Sequence, residues 1–304
     1  KVSDLEKSLR KMGLNMLQPN ELFSDSLSFE YVNKVIDHLK KNDIILEKYK
    51  ESDIITTFQK FHGIIEDTFE FQNFSLNSVI ERSYFKYGVN PQLNEYDKLT
   101  DDYLHRLTLI IKRFSKLLDN SETNIKYDFD DKNGWHIYCT NKRATTFKER
   151  LKNIHNHSIH IKENDEIIYT FQADDFSFKK KDKMNTILCI KTIDDLSKKF
   201  IIIQDKLIKL NKTQWFISIS KIYQEYNQSL KEFYGFLSEM DVYCSAAKIS
   251  IQNNYCRPKI IQKEKSFLNV KNIRHPIVEK INTETEYVTN DLHLGEGKDG
   301  ILLF

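Results

Sequence analysis

Eight residues, Ile222, Tyr226, Leu230, Phe233, Leu237, Met240, Cys244 and Ala247, recur at steps of 4, 4, 3, 4, 3, 4 and 3. Only an α-helix puts that spacing on one side, so the stretch predicts a helix whose apolar stripe packs into a core or a coiled coil. It is read as packing, not as a ligand-binding stripe. The same rhythm starts at "IDDLSKKFIIIQDKLIKL" and runs to about residue 250, in one helix or two. Residues that break helices are scarce, with 4 Pro and 8 Gly among 304 residues.

Upstream, residues 1–120 read as further helices. "DLEKSLRKMG" (4–13) sets Leu5, Leu9 and Met12 on one face, and "SFEYVNKVIDHLKKND" (28–43) repeats the pattern through Val32, Val35, Ile36 and Leu39. Gly88 and Asn90-Pro91 interrupt helicity before a helix through Leu104, Leu107, Ile111, Phe114 and Leu118. At about residue 121 the pattern changes. Asn133-Gly134 is a hairpin-turn dipeptide followed by Trp135, Ile137 and Tyr138, and "HSIHIKENDEIIYTFQ" (157–172) offers two strands around a polar turn. The expected fold is mainly α with a β-containing insertion: helix out, a small domain at 121–192, helix back.

Four cysteines, Cys139, Cys189, Cys244 and Cys256, show neither CxxC nor metal spacing, which fits a reduced, intracellular setting. No apolar run approaches the length of a membrane span. Lys1 stands where Met would open a complete chain, so a preceding segment is expected. A net charge of +2 means that any nucleic-acid contact must come from local patches. Two patches qualify. Between 142 and 162, Lys142, Arg143, Lys148, Arg150, Lys152 and Lys162 face only Glu149. Lys179, Lys180, Lys181 and Lys183 face only Asp182. Such groups can neutralise phosphates without reading bases; an ordinary solvated face is the alternative. His155, His157 and His160 lie close together but lack a further ligand at zinc spacing. Asp128, Asp130 and Asp131 precede Asn133-Gly134 and suit turn chemistry better than a metal site. No nucleophile–base–acid set stands out, so no catalysis is expected within the chain.

The last fifty residues carry the most specific signal. "YCRPKI" (255–260), "IRHPIVEK" (273–280) and "YVTNDLHL" (287–294), ending in "ILLF", resemble the MutS family of DNA mismatch-repair proteins. "EMDVYCSAAKIS" (239–250) and "YFKYGVNPQLNEYDKL" (84–99) resemble family segments in the same order, and "NGWHIYCT" looks like the family's clamp strand. "GEGKDG" (295–300) has glycines and a lysine, but precedes the expected strand where a phosphate-binding loop would follow it.

The resemblance implies a helical core and outgoing lever at 1–120, a clamp at 121–192, returning lever and core helices at 193–258, and the first strands of an α/β ATPase domain at 259–304. It implies that the Walker A loop would follow Phe304 and that mismatch-reading domains would precede the chain. Tyr287 and Val288 would lie beside an adenine, with Asn290 shaping the loop. ATP and Mg2+ would serve the intact protein, with none expected here. Partners would be double-stranded DNA and a second MutS-like subunit, with no membrane. Recombination or junction binding, and a helical scaffold for another protein, remain as alternatives.

Overall fold

The computed structural model describes residues 2–42, 49, 52–74, 80–118, 122, 124–130, 133–153, 158–281 and 286–295. The chain divides into two units, 1–240 and 241–304.

In the first unit, helix α1 (Leu5–Gly13) is capped by the Asp4 carboxylate, which accepts from the Lys7 amide at 3.0 Å. Helix α2 (Pro19–Lys41) begins with proline in its first turn, where no helical N–H is needed. Helix α3 (Ile54–Thr68) leads to a short 3-10 turn, Phe71–Asn73. The break expected near residue 88 is there: Gly88 takes φ +97°, and helix α4 starts at the proline, Pro91–Leu118.

Next comes the β-containing stretch. Strands β1 (Lys126–Asp130) and β2 (Gly134–Thr140) form a hairpin, and Gly134 turns it with φ +64°. Helix α5 (Asn141–Asn153) follows. Strands β3 (Ile159–Glu163) and β4 (Glu166–Phe171) pair around Asn164 and Asp165, both at positive φ. Strands β5 (Ser177–Lys180) and β6 (Asn185–Cys189) complete an antiparallel sheet of order β1-β2-β6-β5. Helix α6 (Lys191–Gln252) then runs for 62 residues without the break that the sequence left open.

Two apolar clusters hold the first unit. One gathers α1, α2, α3 and the part of α6 from Leu207 to Met240. There Phe58 stacks on Phe233 at 4.0 Å, and the buried Trp215 indole donates to the Leu17 carbonyl. The other gathers α4 from Tyr103 onward, the β-containing stretch, and α6 up to Phe200. Tyr103 stacks on Phe200 at 3.9 Å.

Polar side chains interrupt the apolar face of α6 around the boundary between these clusters. Gln204 accepts from the Glu81 amide at 2.8 Å and donates to Thr100 Oγ1 at 3.2 Å. Two turns on, Asn211 Oδ1 accepts from the Tyr84 amide and its Nδ2 donates to the Arg82 carbonyl at 2.8 Å. The extended 81–85 segment thus satisfies its backbone with α6 amides, as a strand would with a neighbour. The chain is mainly α, with small antiparallel sheets and one long helix.

The seam read from the sequence is buried at Ile222, Tyr226, Leu230, Phe233 and Met240. It is exposed at Cys244 and Ala247, because the first apolar cluster ends at Met240. In the second unit, strands β7 (Leu268–Ile273) and β8 (Asn290–Leu294) pair antiparallel, with the single turn α7 (Val278–Ile281) between them. No described residue of 241–295 is buried. Ile260 is 93% exposed and Ile251 79% exposed. Among the described residues, no helix is long and apolar enough to cross a membrane.

Candidate nucleic-acid interface

Helix α5 carries five of the basic residues singled out in the sequence, and its local pattern explains their placement. Ala144, Phe147 and Leu151, three and four residues apart, are buried in the second cluster. That leaves Lys142, Arg143, Lys148, Arg150 and Lys152 exposed on the remaining faces, with Glu149 the one acidic residue there. Arg143 and Arg150 share one flank, Lys148 and Lys152 the other. The Lys148 ammonium sits 4.6 Å over the Phe178 ring of β5. Arg150 donates to the Leu117 carbonyl in the last turn of α4. The sequence reading took this stretch only as part of a β-bearing insertion and missed the helix. An asparagine followed by apolar residues at helical spacing is the signal that could have found it.

Asn141 joins α5 to the second lysine group. Its backbone N–H donates to the Met184 carbonyl at 2.9 Å, and its side-chain amide donates to the Lys183 carbonyl at 2.9 Å. The exposed Lys183 therefore lies beside the first turn of α5.

Strand register separates the other three lysines. Paired residues share a sheet face and alternate along each strand. Phe178 pairs with Leu188, which pairs with Ile137; this face meets α5 and the second cluster. Lys180 shares that face and is exposed at its end. Lys179 and Ile187 lie on the other face with Tyr138. Lys179 donates to Asn133 Oδ1 at 2.7 Å. Lys181 donates to Asp128 Oδ2 at 2.6 Å and sits 3.8 Å over the Tyr138 ring. The hydrogen bond from Lys181 holds the Asp128 carboxyl below the ordinary range. The four lysines therefore do not share one surface.

The acidic and histidine candidates resolve into local structure. Asp130 accepts from the Asn133 amide at 2.7 Å, the turn chemistry expected there. The buried His136 donates from Nδ1 to the Gly134 carbonyl, with Nε2 3.6 Å from Asp130. His160 Nδ1 meets Thr170 Oγ1 at 3.1 Å on the paired strand. His155, His157 and Asp131 lie outside the described residues. Among the described residues, no group of three or more His, Cys, Asp or Glu could hold a metal.

In the second unit the Arg-His-Pro turn is pinned on both sides. Arg274 donates to the Asn253 carbonyl at 2.7 Å. His275 Nδ1 accepts from the Ile277 and Val278 amides, capping α7. The His275 amide donates to the Tyr287 hydroxyl at 3.0 Å. Val288 is 76% exposed, and the Asn290 side-chain Nδ2 donates to the Val288 carbonyl at 3.4 Å. Tyr287, Val288 and Asn290 are thus gathered at one short segment entering β8. Residues 296–304, with the "GEGKDG" and "ILLF" stretches apart from Gly295, lie outside the described residues.

No protein-family profile matches the chain. Among curated proteins it is 26% identical to a putative DNA mismatch repair protein, a MutS homologue, of Acanthamoeba polyphaga mimivirus, over 97% of this chain and 27% of that protein. It is 23% identical to the DNA mismatch repair protein MutS of Lactobacillus helveticus, over 99% of this chain and 32% of the relative. The MutS of Petrotoga mobilis matches at 23% over 99% of this chain and 33% of its own length. The chain thus spans about a third or less of these relatives. Over nearly its whole length it is similar to MutS-family DNA mismatch-repair proteins, in agreement with the motifs of its last fifty residues.

Proposed function

We propose that the chain is the core, lever and clamp portion of a MutS-type DNA mismatch-repair protein, with the opening strands of its ATPase domain. Helix α4 and the first half of α6 act as the levers, and residues 121–192 as the clamp. The observation that carries this reading is the set of exposed cations on the solvent faces of α5, with Glu149 the one acidic residue among them, reinforced at its first turn by Lys183. Lys142, Arg143, Lys148 and Lys152 contact the phosphates of duplex DNA; Lys180 and Lys183 extend the contact. Contacts of this kind position a protein on DNA without reading sequence.

In the intact protein, ATP with Mg2+ supplies the driving reaction. The resemblance assigns Tyr287 and Val288 to the adenine, with Asn290 shaping the loop. The local geometry suits that role. The Tyr287 hydroxyl is tied to the His275 amide, which fixes the ring, and the exposed Val288 offers an apolar surface beside it. The protein works as a homo- or heterodimer inside the cell, on DNA, and couples nucleotide binding and hydrolysis to movement of the clamp.

The test is duplex DNA affinity of this chain over a salt series. Binding that weakens steeply with salt supports the reading. No binding at low salt favours the alternative of a helical scaffold for another protein. Preference for a four-way junction over a linear duplex favours the recombination alternative within the same family.

A further inference from the structure

The first unit carries an uncovered apolar surface well away in sequence from the basic residues of α5. Phe23, Leu27, Tyr31 and Val35 recur every fourth residue along α2 and are 41%, 44%, 53% and 49% exposed. They form an outward stripe on a helix whose inward residues Leu22, Phe29, Val32, Ile36 and Leu39 are buried. At 1.5 Å per residue the stripe is roughly 18 Å long. Its start opens into a groove of about 440 Å³ floored by Phe23, Leu27 and Phe71. Phe23 and Phe71 meet across it, ring centres 5.8 Å apart.

The rim decides what this groove can accept. Glu30, Glu66, Asp67 and Glu70 line it, against Lys86 as the one cation. Among the described residues, His62 Nε2 lies 3.4 Å from Glu66 Oε1, and no lysine or arginine forms an ion pair with any of these four carboxylates. A phosphodiester chain or an anionic membrane surface would meet four like charges. A second copy docked face to face through the same groove would bring two such rims together, because a two-fold contact pairs a surface with itself. A segment with an apolar face flanked by lysines and arginines meets neither obstacle. An amphipathic helix presents apolar groups at the same three- and four-residue spacing as the stripe.

We propose that α2 and the segment around Phe71 form a docking groove for a basic amphipathic helix of a partner protein. The leucine-type side chains of that helix would fill the floor, and its cationic flanks would face the Glu30 and Glu70 carboxylates. This inference is independent of the DNA-binding reading.

The experiment uses the whole chain and three labelled helical peptides of roughly 18 residues, enough to span the stripe. One has leucines at the docking spacing and lysine flanks; the second keeps the leucines with glutamate flanks; the third keeps the lysines with serines for the leucines. The expected result is saturable anisotropy only with the first peptide, weakening with salt as rim charges are screened. Leu27→Ser, or Glu30→Lys with Glu70→Lys, should weaken that binding by about tenfold or more, with the melting temperature reporting that each variant is folded. The peptide comparison is made on the unsubstituted chain and needs no variant to fold. Equal binding of the glutamate peptide, equal binding of the serine peptide, or no saturation with any peptide would overturn the proposal. So would self-association of the chain in sedimentation that Leu27→Ser abolishes, which would give the groove to a second copy.

Discussion

The Lys181 ammonium lies 2.6 Å from Asp128 Oδ2, joining residues 53 apart in sequence. The same group covers the Tyr138 ring at 3.8 Å. Its charge is therefore engaged within the fold, whereas Lys183 is exposed beside α5. Lys181→Gln is expected to lower stability by about 1 kcal/mol, a modest figure because Asp128 is half exposed. It should leave the salt dependence of DNA binding nearly unchanged. Lys183→Gln should do the reverse. Urea unfolding and DNA titration on the two variants separate the roles. The lowered Asp128 pKa adds a pH signature. A carboxyl depressed in the folded state contributes stability above its unfolded pKa, and that contribution is lost as pH falls through the folded value. Lys181→Gln should remove this part of the acid sensitivity.

The amide of Gln204 supports the boundary between the two apolar clusters. Gln204→Leu removes its hydrogen bonds and leaves the Glu81 N–H without its partner. A loss of about 2–3 kcal/mol is expected from an orphaned donor together with the broken bonds. The midpoint of urea unfolding reads it, and an effect below half a kcal/mol would remove the Gln204 hydrogen bonds from the stability of this unit.

Asp97, which accepts from the Ser83 amide at 3.0 Å, titrates in the opposite sense. Burial raises its pKa above the ordinary 3.8, outweighing the Ser83 hydrogen bond and the nearby Arg82. A raised folded pKa means that the contribution is present below the unfolded value and lost as pH rises through the folded one. Asp97→Asn keeps an acceptor for Ser83 but cannot ionise. Relative to the unsubstituted chain, the variant should gain stability as pH rises from about 4 towards neutrality. Melting temperatures across that window check the sign, and a difference that stays flat would contradict it.

Gly134 turns the β1–β2 hairpin at φ +64°, and a methyl group there would lie 3.4 Å from Ser197 Oγ. That oxygen already accepts from the Trp135 amide at 3.1 Å. Gly134→Ala is expected to cost about 1–2 kcal/mol, from backbone strain more than from crowding. Unfolding followed by the fluorescence of the chain's two tryptophans, Trp135 and Trp215, would detect it.

These sites also mark how far the sequence could be read. Asn133-Gly134 and "KEND" announced their hairpins because turn chemistry is local, and Gly88 with Pro91 announced the start of α4 for the same reason. The long seam was legible because eight residues kept helical spacing. Its exposure beyond Met240 was not, since periodicity gives a face but not what covers it. Helix α5 was hidden because only Ala144, Phe147 and Leu151 mark its apolar side within a highly polar run. Composition gave both lysine groups. The division among Lys179, Lys180 and Lys181 depends on strand register and on Asp128, which lies far away in the chain. The clustering of Tyr287 with His275 was equally a matter of tertiary contact.

The central claim is that α5 grips phosphates. Its most direct test is the slope of log affinity against log salt for duplex DNA, compared between the chain and a variant with Lys142, Arg143, Lys148 and Lys152 all changed to Gln. Each lost phosphate contact should reduce the slope by about 0.9, so a flattening of up to roughly 3.6 is expected. An unchanged slope, with DNA still bound, would contradict the account.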